Sequence, residues 1–362
     1  MTRILMTLDA VGGVWRYALD LGRGLRGRGY DVTFAGFGPP PTEAQRDEAL
    51  AVGRLDWCDA PLEWMAAEMD DLRDVPRQIE ALALRHRVDL LHLNLPSQAA
   101  GLSVDLPVVT VSHSCVATWF AAVRGSALPE DWQWQARLTL AGFKAADAVV
   151  APSRAHADAL AACHGRIDGL HVVHNASLAP KTSEPVRADV AAAGRWWDEG
   201  KDAATLDRAA AQIAWPVRMA GPLRGENGAQ VALRYADGLG RLPHHDALAL
   251  VQGAGVLVSP SLYEPFGLVV AEAARAGVPL VLSDIPTYRE LWDGAVFFFA
   301  PRDADGLASA VNRLIRDRPL RDQMGAAART RAARYDLAAQ VAAMAAIYDR
   351  VCVSRHALME VR

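Results

Sequence analysis

The chain has 362 residues, 51% of them hydrophobic, and carries 38 Lys and Arg against 42 Asp and Glu, a net charge of −4. This is long for one ordinary domain and suits two, with enough apolar residues for two cores. The near-balanced charge gives no basic face of the kind that nucleic acid binding needs.

Cys58, Cys115, Cys163 and Cys352 are scattered without C-x-x-C spacing. They imply neither a zinc site nor a disulfide framework and fit a reducing compartment. No apolar run approaches the roughly 20 residues that span a bilayer. The segment Met1–Leu8 is too short for a signal peptide and leads straight into a glycine turn. A cytoplasmic protein is expected.

Strand and helix signals alternate along the chain. Arg3 to Leu8 predicts a buried strand, Gly12-Gly13 a turn, and Val14 to Arg28 a helix with Tyr17, Leu21 and Leu25 on one face. Gly29 ends that helix, and Asp31 to Gly36 predicts the next strand. Further apolar runs fall at Leu90–Leu93, Val108–Val111, Ala148–Ala151 and Leu170–Val173. The pattern breaks after His174-Asn175-Ala176-Ser177, where Pro180, Ser183 and Pro185 mark a polar stretch, so a linker is predicted near residue 178. A second series follows at Val190–Ala193, Val217–Ala220, Gly255–Val258, Leu280–Ser283 and Val296–Phe299. Leu337 to about Val353 predicts a terminal helix. This repetition predicts α/β domains with largely parallel sheets covered by helices.

The densest motif is Ser261-Leu262-Tyr263-Glu264-Pro265-Phe266-Gly267-Leu268-Val269-Val270-Ala271-Glu272-Ala273-Ala274. It follows a predicted buried strand, Gly255 to Ser259. Pro265 suits the first position of a helix running to about Arg275. Glu272 interrupts an almost wholly apolar helix, where a carboxylate is costly to desolvate unless it meets donors such as the two hydroxyls of a ribose. Glu264 lies near the positive end of that helix, where the backbone amides of Phe266, Gly267 and Leu268 can take polar or anionic groups. A structural carboxylate capping the turn is the alternative for either Glu alone.

Glu264-x7-Glu272 within YEPFGLVVAEA, followed by Gly277-Val278-Pro279, resembles the family-4 retaining glycosyltransferases. The resemblance implies the GT-B fold, two Rossmann-like parallel-sheet domains facing across a cleft, with a C-terminal helix crossing back to the first domain. It implies an acceptor-side domain over 1–177, joined by the helix 337–362, and a nucleotide-sugar donor domain over 178–336. It extends to Gly194-Arg195 and Lys201, similar to the family's element whose Arg and Lys bind the donor diphosphate. Two such cations would stabilise a departing diphosphate. A charged surface loop is the alternative, and Asp202 stands where the family usually has Gly.

The Gly12-Gly13 turn opens a helix and would favour a phosphate or sugar hydroxyl. It is not G-x-G-x-x-G, and the second strand ends without the acid that holds a nicotinamide ribose. The resemblance sets Gly12 and Gly13 against the donor. His113, at the end of Val109-Thr110-Val111-Ser112, matches the family's strand-end His near the reacting sugar, as an orienting residue rather than a proton-transfer base. Gly240-Arg241-Leu242 falls where the family's nucleotide-base loop lies. Trp119, Phe120, Arg124, Trp132 and Trp134 could stack on an acceptor or lie on a membrane interface, and His92 and Asn94 are further acceptor-facing candidates. Asp303-Ala304-Asp305 spells a metal-diphosphate motif but precedes a helix, Gly306 to Ile315, and reads as an N-cap.

The reading is a metal-independent, cofactor-free retaining glycosyltransferase. It would move a hexosyl group from a nucleoside-diphosphate sugar to a sugar, lipid-linked or small-molecule acceptor. Its location would be cytoplasmic, with room for peripheral contact at the inner face of the membrane, and with no nucleic acid partner. A nucleotide-sugar epimerase of the same shape and a non-catalytic sugar-nucleotide binding protein are the alternatives.

Overall fold

The computed structural model describes residues 1–178, 186–225 and 228–360. The polar stretch with Pro180, Ser183 and Pro185 lies outside them, as do residues 361–362. The chain divides into two compact units, 1–176 with 337–362, and 177–336.

Among the described residues, the first unit holds seven strands: β1 (Arg3–Asp9), β2 (Asp31–Phe37), β3 (Arg54–Trp57), β4 (Leu90–Leu93), β5 (Val108–Val111), β6 (Ala148–Ala151) and β7 (Leu170–Val172). They pair in the order β3-β2-β1-β4-β5-β6-β7, all parallel. The second unit holds six: β8 (Val190–Ala193), β9 (Val217–Ala220), β10 (Asp237–Gly240), β11 (Val256–Ser259), β12 (Leu280–Ser283) and β13 (Phe297–Phe299). Their order is β10-β9-β8-β11-β12-β13, again parallel. The sequence order reverses direction at β1/β4 and at β8/β11. In doubly wound sheets such points open a crevice at the carboxyl ends of the strands, where ligands bind.

The central strands are buried on both faces, which is why they read as unbroken apolar runs. The edge strands β3 and β10 were not predicted. They carry Arg54, Asp56 and Asp237 and are largely or partly exposed, so neither an apolar run nor alternation marks them. The helix after β11 spans Leu268–Ala276 and does not start at Pro265. Gly267 takes φ +92°, ψ 68°, a left-handed conformation that cannot lie inside a right-handed helix, so the helix begins after it.

The stretch 318–355 is, by length and composition alone, apolar enough to cross a membrane, contrary to the expectation from run length. It covers the helix Arg318–Ala332 and most of the helix Leu337–Glu360. In the second, Val341, Met344, Ile347, Tyr348 and Val351 are buried in the core of the first unit. That helix packs on the first helix, Gly13–Arg26. A Cβ at Gly24 would collide with Val341 and press on Leu337, so the two helices meet at backbone distance.

Candidate active site

In the second unit the site begins where β8 ends. Trp196 is buried and its Nε1 donates to the Ala220 carbonyl at 2.8 Å. This anchors the segment beside β9 and leaves Arg195 with its guanidinium carbon 5.7 Å from the ring centre of Trp197. A short 3₁₀ turn, Glu199–Lys201, follows. Asp202, where the family usually has Gly, adopts φ +49°, and its side chain accepts from the Thr205 amide to cap the helix Ala203–Ala210. Asp is among the residues that tolerate the left-handed region, and here the cap offsets that cost.

The β8 and β11 loops are joined. The Gly200 carbonyl accepts from the Leu262 amide at 2.8 Å and the Tyr263 amide at 3.3 Å. This brings Lys201 Nζ to 2.6 Å from Glu264 Oε2, with both side chains about four-fifths buried. Beneath them, Tyr288 is fully buried in the helix Pro286–Trp292. Its hydroxyl and that of Ser259 lie 2.6 Å apart. A Cβ on Gly267 would sit 3.1 Å from the Tyr288 ring and 3.5 Å from Glu264 Cγ. Burial and the nearby Glu264 carboxylate hold the Tyr288 phenol protonated, its pKa raised. Gly267 and Leu268 open a helix with no side-chain cap, so its first amides have no intrahelical acceptor. Glu272 is buried one turn further along that helix. Phe266 is buried too, its ring edge-on to Tyr335 at 5.6 Å between centres.

At the far side of the same sheet, Gly240 ends β10, followed by Arg241 and Leu242. The Gly240 carbonyl accepts from the Gly221 amide at 2.7 Å. Gly221, at φ +121°, lies so close to the Gly194 carbonyl that a side chain there would collide. The Gly240 loop is thus stitched to the strand end that carries Arg195.

In the first unit, Gly12 and Gly13 are exposed at the start of the helix Gly13–Arg26, past the end of β1. His113 follows β5. Its Nε2 lies 2.9 Å from Asn94 Oδ1, and His92 Nε2 lies 3.1 Å from the same oxygen. Asn94 Nδ2 donates to the Thr7 carbonyl at 2.6 Å, its backbone amide donates to Thr7 Oγ1 at 2.8 Å, and Thr7 Oγ1 donates to Gln98 Oε1 at 2.7 Å. His92 Nδ1 lies 2.6 Å from Tyr348 Oη. The Tyr17 ring stands edge-on to His113 at 4.3 Å. Burial lowers the pKa of His92 to about 4 and, helped by the neighbouring His92 and His156, that of His113 to about 3. His92 and Asn94 are both fully buried. This corrects their expected acceptor-facing position: they lie behind His113 and support it. Tyr288, Ser259, Tyr17 and Tyr348 were missed, since a hydroxyl within an apolar pattern carries no local signal.

Trp119 and Arg124 lie on the helix Val116–Arg124, which begins three residues after His113. The guanidinium lies 5.4 Å from the Trp119 ring centre and 5.2 Å from that of Phe120, and Trp132 remains exposed. Asp303 caps the helix Ala304–Arg316 by accepting from the Gly306 amide at 2.9 Å, and Asp305 accepts from Gln212 at 2.7 Å.

Residues 11–176 match the family described as Glycosyltransferase Family 4, and residues 237–331 match Glycosyl transferases group 1. Both domains are those of a glycosyltransferase, and the two parallel-sheet units have the GT-B fold. A glycogen synthase of Mycobacterium tuberculosis is 45% identical over 27% of this chain, a match that spans about a quarter (24%) of that relative. A phosphatidyl-myo-inositol mannosyltransferase of the same organism aligns over 96% of both chains at 26% identity. Among solved structures, the sucrose-phosphate synthase of Thermosynechococcus elongatus superposes with a TM-score of 0.79 at 19% identity, covering 98% of this chain and 100% of its own. HepE of Anabaena, solved with UDP-glucose, gives 0.73 at 17%, covering 99% and 100%. The likeness to these two structures is one of fold.

Proposed function

We propose that this glycosyltransferase moves a hexosyl group from a nucleoside-diphosphate sugar to an acceptor hydroxyl, with retention and without a metal ion. The observation that carries the reading is the Lys201–Glu264 pair at 2.6 Å, set beside an uncapped helix N-terminus at the switch point of the second sheet. The glycogen synthase, mannosyltransferase and UDP-glucose-bound relatives support the substrate class.

In this reading the bond from C1 to the diphosphate oxygen breaks and a bond from C1 to the acceptor oxygen forms on the same face. The acceptor proton passes to the departing diphosphate. Arg195 and Lys201 meet the negative charge as it grows. Glu264 and the amides of Gly267 and Leu268 hold the sugar hydroxyls, and Glu272 holds the ribose. Gly12, Gly13 and the Gly240–Leu242 loop complete the donor contacts, and His113 orients the sugar. The acceptor is a sugar, a lipid-linked group or a small polyol. In this reading the protein works in the cytoplasm, and the mannosyltransferase relative, named for a phosphatidyl lipid, favours contact with a membrane surface.

Calorimetry tests the donor site. Glu272→Gln should weaken bare nucleoside diphosphate and sugar-bearing donor alike, since ribose is common to both. Glu264→Gln should weaken only the sugar-bearing donor. It also releases Lys201 to the diphosphate, so binding of the bare nucleotide should hold or tighten. Equal losses for both ligands at Glu264 would defeat its role.

Transfer should also persist in EDTA, because Arg195 and Lys201 supply the cationic charge. Activity abolished by EDTA and restored by Mn²⁺ or Mg²⁺ would overturn the metal-free mechanism. Conversion of donor to an epimer without acceptor would replace transfer by epimerisation.

A further inference from the structure

The first unit carries a hydrogen-bonded line from the C-terminal helix to His113, and the direction of each bond can be worked out from donor and acceptor chemistry. The Thr7 backbone carbonyl can only accept, so the Asn94 atom 2.6 Å from it is the amide nitrogen. Asn94 Oδ1 therefore faces the two imidazoles, at 3.1 Å from His92 Nε2 and 2.9 Å from His113 Nε2. An amide oxygen only accepts, so both Nε2 atoms carry hydrogen. Both rings are held neutral by burial, and a neutral imidazole carries one N–H. Nδ1 is consequently bare on each. Tyr348 Oη, 2.6 Å from His92 Nδ1, is then the donor in that bond.

We propose that Tyr348 is a positioning residue for the site. Through His92 and Asn94 it fixes His113 with its hydrogen on Nε2, so that His113 offers its ligand an accepting Nδ1, suited to a hydroxyl and unsuited to a carboxylate or phosphate. This rests on the reading that His113 meets the sugar. The phenol is what holds the arrangement. Without it His92 is free to carry its hydrogen on Nδ1. Its Nε2 lone pair would then oppose the lone pairs of Asn94 Oδ1, and the anchor of His113 would loosen. Tyr348 lies 256 residues from His92, on a helix that reaches the first unit only after the chain has built the second.

The test is Tyr348→Phe in the full chain, with the ring nitrogens observed by ¹⁵N NMR. The wild type should show both His92 and His113 with hydrogen on Nε2. The variant should show His92 distributed between tautomers and the His113 signals displaced. Its kcat should fall roughly fivefold, the fold-change of one neutral hydrogen bond, with little change in donor KM. Tyr30→Phe is the packing control. The Tyr30 ring stands 6.0 Å from Tyr348, but burial and then Asp349 raise the pKa of its phenol, which answers to that carboxylate, so both tautomers should be unaffected. Unchanged tautomers in Tyr348→Phe overturn the proposal whatever the activity, and so does a tautomer change of equal size in Tyr30→Phe. Normal turnover in His113→Ala would instead remove His113 from the site and leave the tautomer result standing, so the two failures are distinguishable.

Discussion

Replacing Arg195 with Ala is expected to lower kcat by roughly 10²–10³ while changing the donor KM little. The donor already carries a charged diphosphate when it binds, and the charge on the leaving oxygen grows as the bond to the sugar breaks. A cation aimed at that oxygen therefore gains most at the transition state. Lys201 supplies only part of this charge, because its ammonium group is shared with Glu264 at 2.6 Å. Arg195 is held from behind instead, by the buried Trp196 and its bond to Ala220. Arg195→Lys should recover part of the loss, since it restores charge but not the two-pronged grip on phosphate. Steady-state kinetics with saturating acceptor measures this, and near-normal turnover in Arg195→Ala would sink the assignment.

The first unit should lose stability steeply as pH falls from 7 to 5. His92 and His156 are held near 4, and His113 near 3, against an ordinary 6.5, each chiefly by burial. Their folded values are depressed, so below about 6.5 the unfolded chain takes up protons that the folded one refuses. Stability present above that pH is lost as pH falls. Glu63 works in the opposite sense. Burial raises it to about 7 from an ordinary 4.5, so in that window the folded chain binds the proton more tightly. Three histidines against one carboxyl leave a net loss on the order of 4 kcal/mol. Urea unfolding at the two pH values, followed by hydrogen exchange at β1, β4 and β5, measures it. An unchanged midpoint would mean that these imidazoles take protons readily in the folded state.

Burial geometry decided what could be read from the sequence. Leu90–Leu93, Val108–Val111, Ala148–Ala151, Val190–Ala193, Val217–Ala220 and Leu280–Ser283 were legible to the residue. They are central strands, and burial on both faces writes itself as an apolar run. Arg54–Trp57 and Asp237–Gly240 lie at sheet edges, where half the surface is wet, and left no such mark. The Pro265 signal for a helix start was real in type but was overruled by the left-handed Gly267 two residues later. The site motifs were visible as separate pieces, because strand ends, glycine turns and charged residues have local signatures. Their meeting was not visible. Lys201 and Glu264 are 63 residues apart, and the sheet order that sets β8 beside β11 brings them together. The buried supports, Tyr288 under Glu264 and Tyr348 behind His92, look in sequence like ordinary members of apolar helices.

The order in which the first unit receives its parts has a consequence for biosynthesis. Residues 1–176 leave the ribosome first, yet Val341, Met344, Ile347, Tyr348 and Val351 belong to their core. Until residues 177–336 have also been made, for on the order of 10 s at ordinary translation speeds, the helix Gly13–Arg26 lacks the cover that Leu337–Glu360 provides around Gly24. The nascent amino-terminal half therefore carries a sticky groove for the whole of that interval. It is the stage at which chaperones would be expected to engage this chain, and at which a premature stop codon would leave an aggregation-prone product.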